Sequence, residues 1–329
     1  MNVFALAFIF IVSGLIAILS AIQLSTYADI ISKKTNIGGF LIGTILLAVA
    51  TSLPELTTTV SASIIGSADI VIGNGLGSIL FNFFFLFLLD IHFRKKRLFL
   101  NLTHQHFYTT IIVLLLFLTS SLGIVFDNAV LKWGISATSI VLFFIYIGGM
   151  WFISKLQIKK SENENEVNNN KAQNLAMAQL MIRFFAFSIL IFISGSALSI
   201  SGDELAKTTG ISATIIGSIL VAIATSVPDA MGVYAALKLA NVNMAVGAIL
   251  GSNAFNISII SIGDLFYRKE SIWKAASGEL LLLAILGCVL TLIVMAIIKR
   301  KQAQNTFSYL VPSFGIVGSY LVVMVLLLI

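Results

Sequence analysis

Two carboxylates stand where hydrocarbon is expected. Glu55 lies within an apolar stretch at 38–64, and Asp229 occupies the equivalent place in a second stretch at 211–238. A carboxylate at a bilayer centre costs about 2.5–3.5 kcal/mol on insertion scales, so such a group faces the protein interior and meets a partner there. No basic residue falls inside any apolar stretch at similar depth. The remaining partners are a proton or a cation supplied from outside the chain.

The residues around these carboxylates are oxygen donors. Thr51, Ser52, Thr225 and Ser226 put hydroxyls one turn before them, and two later stretches carry Ser78 with Asn82 and Ser252 with Asn256. A spacing of four places each of those pairs on one helix face. Pro54 and Pro228 immediately precede the carboxylates and are two of only three prolines in the chain. Proline inside a helix removes an N–H and displaces the turn before it. Carbonyls near Ala48, Ala50 and Thr51, and near Ala222, Ala224 and Thr225, are thereby freed to turn toward an ion, and broken backbone at membrane depth is tolerated where it lines a cavity. Carboxylate, amide, hydroxyl and carbonyl oxygens suit hard cations such as Ca²⁺ and Na⁺, not the softer metals that prefer His and Cys. Two carboxylates carry −2, which matches one Ca²⁺ or two Na⁺ and makes their binding mutually exclusive.

These residues belong to an internal repeat. GTILLAVATSLPEL at 43–56 matches GSILVAIATSVPDA at 217–230 at eight of fourteen positions, and IGNGLGSILFN at 72–82 matches VGAILGSNAFN at 246–256 at six of eleven. Both matches fall at an offset of 174, and 29–90 aligns with 203–264 without a gap. Chance resemblance between apolar helices would not preserve Thr, Ser, Pro, Asn and a carboxylate together.

The elements that must position them are membrane spans. The 329 residues are 58% hydrophobic and 10% charged, with a mean hydropathy of +1.04; a soluble domain carries about 25% charged residues. Ten apolar stretches are long enough to cross a bilayer, near 2–23, 38–64, 68–90, 107–126, 129–153, 177–199, 211–238, 243–266, 274–298 and 307–329. The first lacks a basic flank and reads as a retained span rather than a cleaved leader. Alternate loops hold 15 and 5 Lys and Arg; the richer side is cytoplasmic, which puts both termini outside. Residues 155–175 are rich in Asn, Glu and Lys and read as a hydrophilic cytoplasmic linker. The expected fold is an all-α polytopic membrane protein. Its halves are 1–154, with the motif at 43–82, and 176–329, with the motif at 217–256. Five spans separate the copies, an odd number, so the second copy is inverted. Inverted repeats mark transporters whose site lies near the midplane.

The motifs resemble the cation/Ca²⁺ exchanger superfamily, whose repeats read like ATSLPE with GSILFN and ATSVPD with GSNAFN. The resemblance covers the whole layout and implies ion ligands at Ala48, Thr51, Ser52, Glu55, Ser78 and Asn82, and at Ala222, Thr225, Ser226, Asp229, Ser252 and Asn256. It implies Na⁺ entry driving Ca²⁺ extrusion by alternating access, with the first and sixth spans sliding. Many prokaryotic members carry Glu where Asp229 stands and Asp where Asn256 stands, and K⁺-dependent members carry an acid at the latter position. The set here is more similar to K⁺-independent Na⁺/Ca²⁺ exchangers. The alternative is H⁺/Ca²⁺ exchange, or exchange of other cations, through the same carboxylates.

Other classes fit less well. A channel normally arranges several identical subunits about an axis, whereas this chain builds a pseudo-symmetric site within itself, so a monomer is sufficient for transport. No nucleophile triad, phosphate loop or His/Cys cluster lies in the spans, and Cys288 is the one cysteine; neither an enzyme nor a resident cofactor is expected. The net charge of +6 is spread over short loops, which argues for lipid headgroups and against nucleic acid. His92, His104 and His106 read as part of the basic loop around Arg94–Arg97, and Asp90 and Asp264 as helix-end or gate residues. Asn74 is matched by Ala248 and gains no support from the repeat.

Overall fold

The computed structural model describes residues 2–35, 51–94, 97–103, 105–126, 134–158, 176–238, 242–267, 270–300 and 305–328. The chain is all-helical, with two inverted halves of five helices. The helices are α1 (Val3–Thr35), α2 (Leu53–Ile65), α3 (Ala68–His92), α4 (Gln105–Phe126) and α5 (Ala137–Ile158). The second half has α6 (Met177–Thr209), α7 (Ala213–Lys238), α8 (Val242–Phe266), α9 (Leu280–Lys299) and α10 (Thr306–Leu328). Nine of them are long and apolar enough to cross a membrane among the described residues, and α2 is the described end of the remaining stretch. Ala48 and the rest of 36–50 lie outside the described residues, as does most of the 155–175 linker.

Helix bounds repeat at the offset of the sequence motif. α1 and α6, α3 and α8, and the short helices Leu98–Asn101 and Ile272–Ala275 all start and stop 174 residues apart. The packing obeys the same exchange: α3 packs on α7, α9 and α10 as α8 packs on α2, α4 and α5. α1 and α6 lie against each other and turn many bare side chains outward, among them Phe4, Phe8, Leu19, Ile182, Phe185 and Ile193. Such faces are stable only against lipid. α3 and α8 are instead mostly buried at the centre.

Three features differ from the expected spans. α1 and α6 extend about three turns beyond their apolar stretches, because hydropathy marks the bilayer and not the end of hydrogen bonding. The last turns of α6 are held by the Lys207–Asp203 ion pair at 2.5 Å, and the helix ends at Gly210, whose φ of 74° needs glycine. α5 runs on through Lys155 to Ile158. His106 is not in a basic loop: it is buried in the first turn of α4, with Nε2 at 3.2 Å from Asn243 Oδ1.

Asp90 and Asp264, equivalent in the repeat, close the far ends of α3 and α8. Asp90 accepts from Tyr309 and Ser313 hydroxyls, each at 2.6 Å. Asp264 accepts from the backbone N–H of Ser136 at 2.7 Å and of Ile272 at 3.3 Å. Each pins the short helix that follows, which carries a fully buried aromatic, Phe99 on one side and its equivalent Trp273 on the other.

The α3 glycines set the distance to α7. A methyl group on Gly77 would overlap the Ser218 backbone, and one on Gly73 would come within 3.0 Å of the Ser218 nitrogen. Among the described residues Gly247 faces His106 and no atom lies within 4 Å of a methyl group on Gly251; Thr44 and Ala48, the equivalents of Ser218 and Ala222, lie outside the described residues. Gly77→Leu should therefore drive α3 off α7 at a cost of about 3 kcal/mol or loss of folding, while Gly73→Ala, whose methyl group meets the Ser218 nitrogen at 3.0 Å, should cost less. Thermal unfolding of the purified protein in detergent checks both.

Candidate cation site

α2 and α7 bring the carboxylates in, and α3 and α8 supply the surrounding amides. Thr51 and Ser52 precede α2, and Pro54 sits in its first turn, where a missing N–H is harmless. In α7 the expected break at Pro228 is absent, and the helix runs through it. Proline lacks the bond to the Ala224 carbonyl but need not end a helix packed against its neighbours. The departure from α geometry lies upstream, as a π-helical segment at Ile216–Val221, where α3 makes its closest approach through Gly73 and Gly77. π segments interrupt helices mostly at functional sites.

The described candidate residues gather in two hydrogen-bonded groups, one about each carboxylate, and Asn256 is bonded in neither. Glu55, Asp229, Asn82, Asn256, Ser52, Ser226, Ser78, Ser252, Thr225 and Ala222 are all buried. Ser226 donates to Glu55 Oε1 at 3.3 Å. Asp229 accepts from Ser252, from Asn82 Nδ2 at 3.4 Å and from Thr51. The Ser52 and Ser252 hydroxyls lie 3.4 Å apart, and those of Ser78 and Thr225 lie 3.5 Å apart. Ser252 gives its proton to Asp229, so Ser52 is the donor in the first of these pairs. The Ala222 carbonyl accepts from Thr225 at 3.3 Å. Among the described residues no ion pair reaches either carboxylate, and no three His, Cys, Asp or Glu side chains gather as a metal cluster.

Two further asparagines join these groups. Asn74 donates to the Glu55 carbonyl at 3.3 Å and to Thr59 at 3.1 Å, and accepts from Thr225 at 3.1 Å. Asn253 accepts from Asn82 Nδ2 at 3.0 Å. Their equivalents are Ala248 and Ile79, so a search for repeated residues passes them by. The usable signal is different: each is an amide buried in an apolar span, which is costly unless it has a partner.

Among the described residues five buried polar atoms of the candidate residues and Asn253 have no hydrogen-bond partner: Glu55 Oε2, Asn82 Oδ1, Asn256 Oδ1 and Nδ2, and Asn253 Nδ2. A buried polar atom left so costs about 1–3 kcal/mol. Three of the five are oxygens, which a hard cation can satisfy. The bonding is also lopsided. Asn82 and Ser252 bond Asp229, but neither equivalent contact, Asn256 to Glu55 or Ser78 to Glu55, forms among the described residues.

The sequence profile described as sodium/calcium exchanger protein matches residues 5–152 and 180–329. The chain belongs to this family. The exchanger is 24% identical over 269 residues to the sodium/calcium exchanger MaX1 of Methanosarcina acetivorans, covering 73% of this chain and 77% of that one. Its fold is that of the sodium-calcium exchanger NCX_Mj, with TM-score 0.59, 20% identity and 98% of both chains covered. It is also that of the H⁺/Ca²⁺ exchanger CAX, with TM-score 0.69, 14% identity and 98% and 88% covered.

Glu55→Gln and Asp229→Asn keep shape and remove charge. A bound ion raises Tm in proportion to RT ln(1 + [L]/Kd). Ca²⁺ should raise the Tm of the unaltered exchanger and of neither variant; a shift retained in either would remove that carboxylate from the site.

Proposed function

We propose that the exchanger moves Ca²⁺ and Na⁺ in opposite directions through this one site by alternating access. The observation that carries the reading is the set of buried oxygens without partners among the described residues, Glu55 Oε2, Asn82 Oδ1 and Asn256 Oδ1, together with two buried carboxylates contributed by inverted halves. The ligands are Glu55, Asn82, Thr51, Ser52 and Ser78 with Asp229, Asn256, Thr225, Ser226 and Ser252, assisted by the carbonyls of Ala48 and Ala222. Two negative charges are balanced by one Ca²⁺ or by two Na⁺, and competition for one site is a sufficient basis for exchange. Position 256 holds an amide, which supports independence from K⁺. Each carboxylate can also take a proton, so H⁺ coupling through the same residues is the alternative.

One chain supplies every described side chain of the site, so a monomer is sufficient, and the ions themselves are the only small-molecule partners the reading requires. The Lys and Arg bias favours a cytoplasmic linker at 155–175 between the halves 1–154 and 176–329, with both termini outside in a cytoplasmic membrane.

Proteoliposomes loaded with Na⁺ and diluted into Na⁺-free buffer should take up radioactive Ca²⁺ without added K⁺, while vesicles given only a pH gradient do not. Uptake driven by the pH gradient alone would establish the alternative. Asn256→Asp should make uptake sensitive to K⁺ or pH; unchanged ion dependence would free position 256 from a role in selectivity. For orientation, Thr208 is exposed on the last turn of α6. In a Cys288→Ser background, Thr208→Cys should react with a membrane-impermeant thiol reagent from outside the cell, and protection there would reverse the topology.

A further inference from the structure

Asn82 faces its neighbours with its NH₂ group. Nδ2 lies 3.0 Å from Asn253 Oδ1 and 3.4 Å from Asp229 Oδ2. An ionised carboxylate only accepts hydrogen bonds, so with Asp229 charged the edge of Asn82 turned toward it must be the donor edge. The same edge meets Asn253, whose oxygen must therefore point at Asn82. Both amides are then fixed in orientation. Asn82 Oδ1 is left buried and without a partner among the described residues, as an acceptor on the other edge of the amide. Asn253 is left with its oxygen engaged and only its Nδ2 free. An N–H donor repels a cation, so Asn253 cannot act as a ligand through that atom.

We propose that Asn253 is a positioning residue. It holds the Asn82 amide so that the carbonyl oxygen, and not the NH₂, faces the transported cation. Without it, Asp229 alone restrains Asn82 through the longer of the two bonds, and the amide can turn its NH₂ into the site. Because position 79 is Ile, Asn256 lacks the equivalent restraint, and both of its side-chain polar atoms are without partners among the described residues. The two ligand amides, alike in the repeat, thus differ in rigidity. This inference rests on the reading of Asn82 as an ion ligand.

The test is a double-mutant cycle on Ca²⁺ uptake by proteoliposomes, read as KM and kcat separately. Asn82→Ala and Asn253→Leu should each raise the KM for Ca²⁺ by about tenfold with kcat within about threefold, and the double variant should be no worse than the poorer single one. Asn253→Asp, which keeps an acceptor oxygen opposite Asn82, should return KM to within about threefold of the unaltered protein; it serves also if Asn253→Leu fails to fold. A tenfold loss in Asn82→Ala beside an unchanged Asn253→Leu would overturn the positioning role alone. So would multiplicative losses in the double variant, or a KM in Asn253→Asp as high as in Asn82→Ala. An unchanged KM in Asn82→Ala would overturn the ligand reading, and the positioning role with it.

Discussion

The architecture depends on one electrostatic constraint: Glu55 and Asp229 are buried in a membrane protein without a basic partner among the described residues. Charge in low dielectric is costly unless it is paired and hydrogen-bonded. The chain meets only part of that cost from its own hydroxyls and amides. Close helix approach is needed to bring those donors near enough, hence glycine on α3 and the π segment on α7. On the proposed reading, the unmet remainder is what gives the site an affinity for cations.

Inversion of the halves makes the two carboxylates equivalent in sequence, yet their surroundings are unequal. Asp229 is held by Ser252, Asn82 and Thr51, whereas Glu55 keeps one oxygen without a partner among the described residues. A site that was symmetric in every contact would face both sides of the membrane alike. Breaking the symmetry at hydrogen bonds that can form on either half is a small energetic matter, since each such bond contributes on the order of 1 kcal/mol net. Asn74 and Asn253, present once each, add an asymmetry that no rearrangement can exchange.

Much of this was legible in the sequence. The repeated carboxylate, proline, hydroxyl and amide residues marked the site because polar atoms are rare in spans and need a reason to be there. Ten helices and the 174-residue register followed from hydropathy and identity. Other features depended on tertiary contacts. Pro228 lies inside α7 without ending it, in a helix packed against its neighbours. His106 sits in a buried turn because Asn243, 137 residues away, reaches it. The helical ends of α1 and α6 run beyond their apolar stretches into segments that hydropathy reads as loop. Asn253 was hidden by the very repeat that revealed Asn256, since a search for matched positions discards the unmatched ones.

The short helices Leu98–Asn101 and Ile272–Ala275 look in the sequence like ordinary connections between spans, open to tags, epitopes or protease sites. They are closed to such use. Each is sewn to the end of a site helix by Asp90 or Asp264 and has Phe99 or Trp273 sunk into the protein. An insertion there would have to expel an aromatic ring and loosen a helix that carries the site, so a tag reporting loss of activity at these loops would be reporting damage, not topology. The turn around Gly210, exposed and capped by its own glycine, is where the chain tolerates being handled.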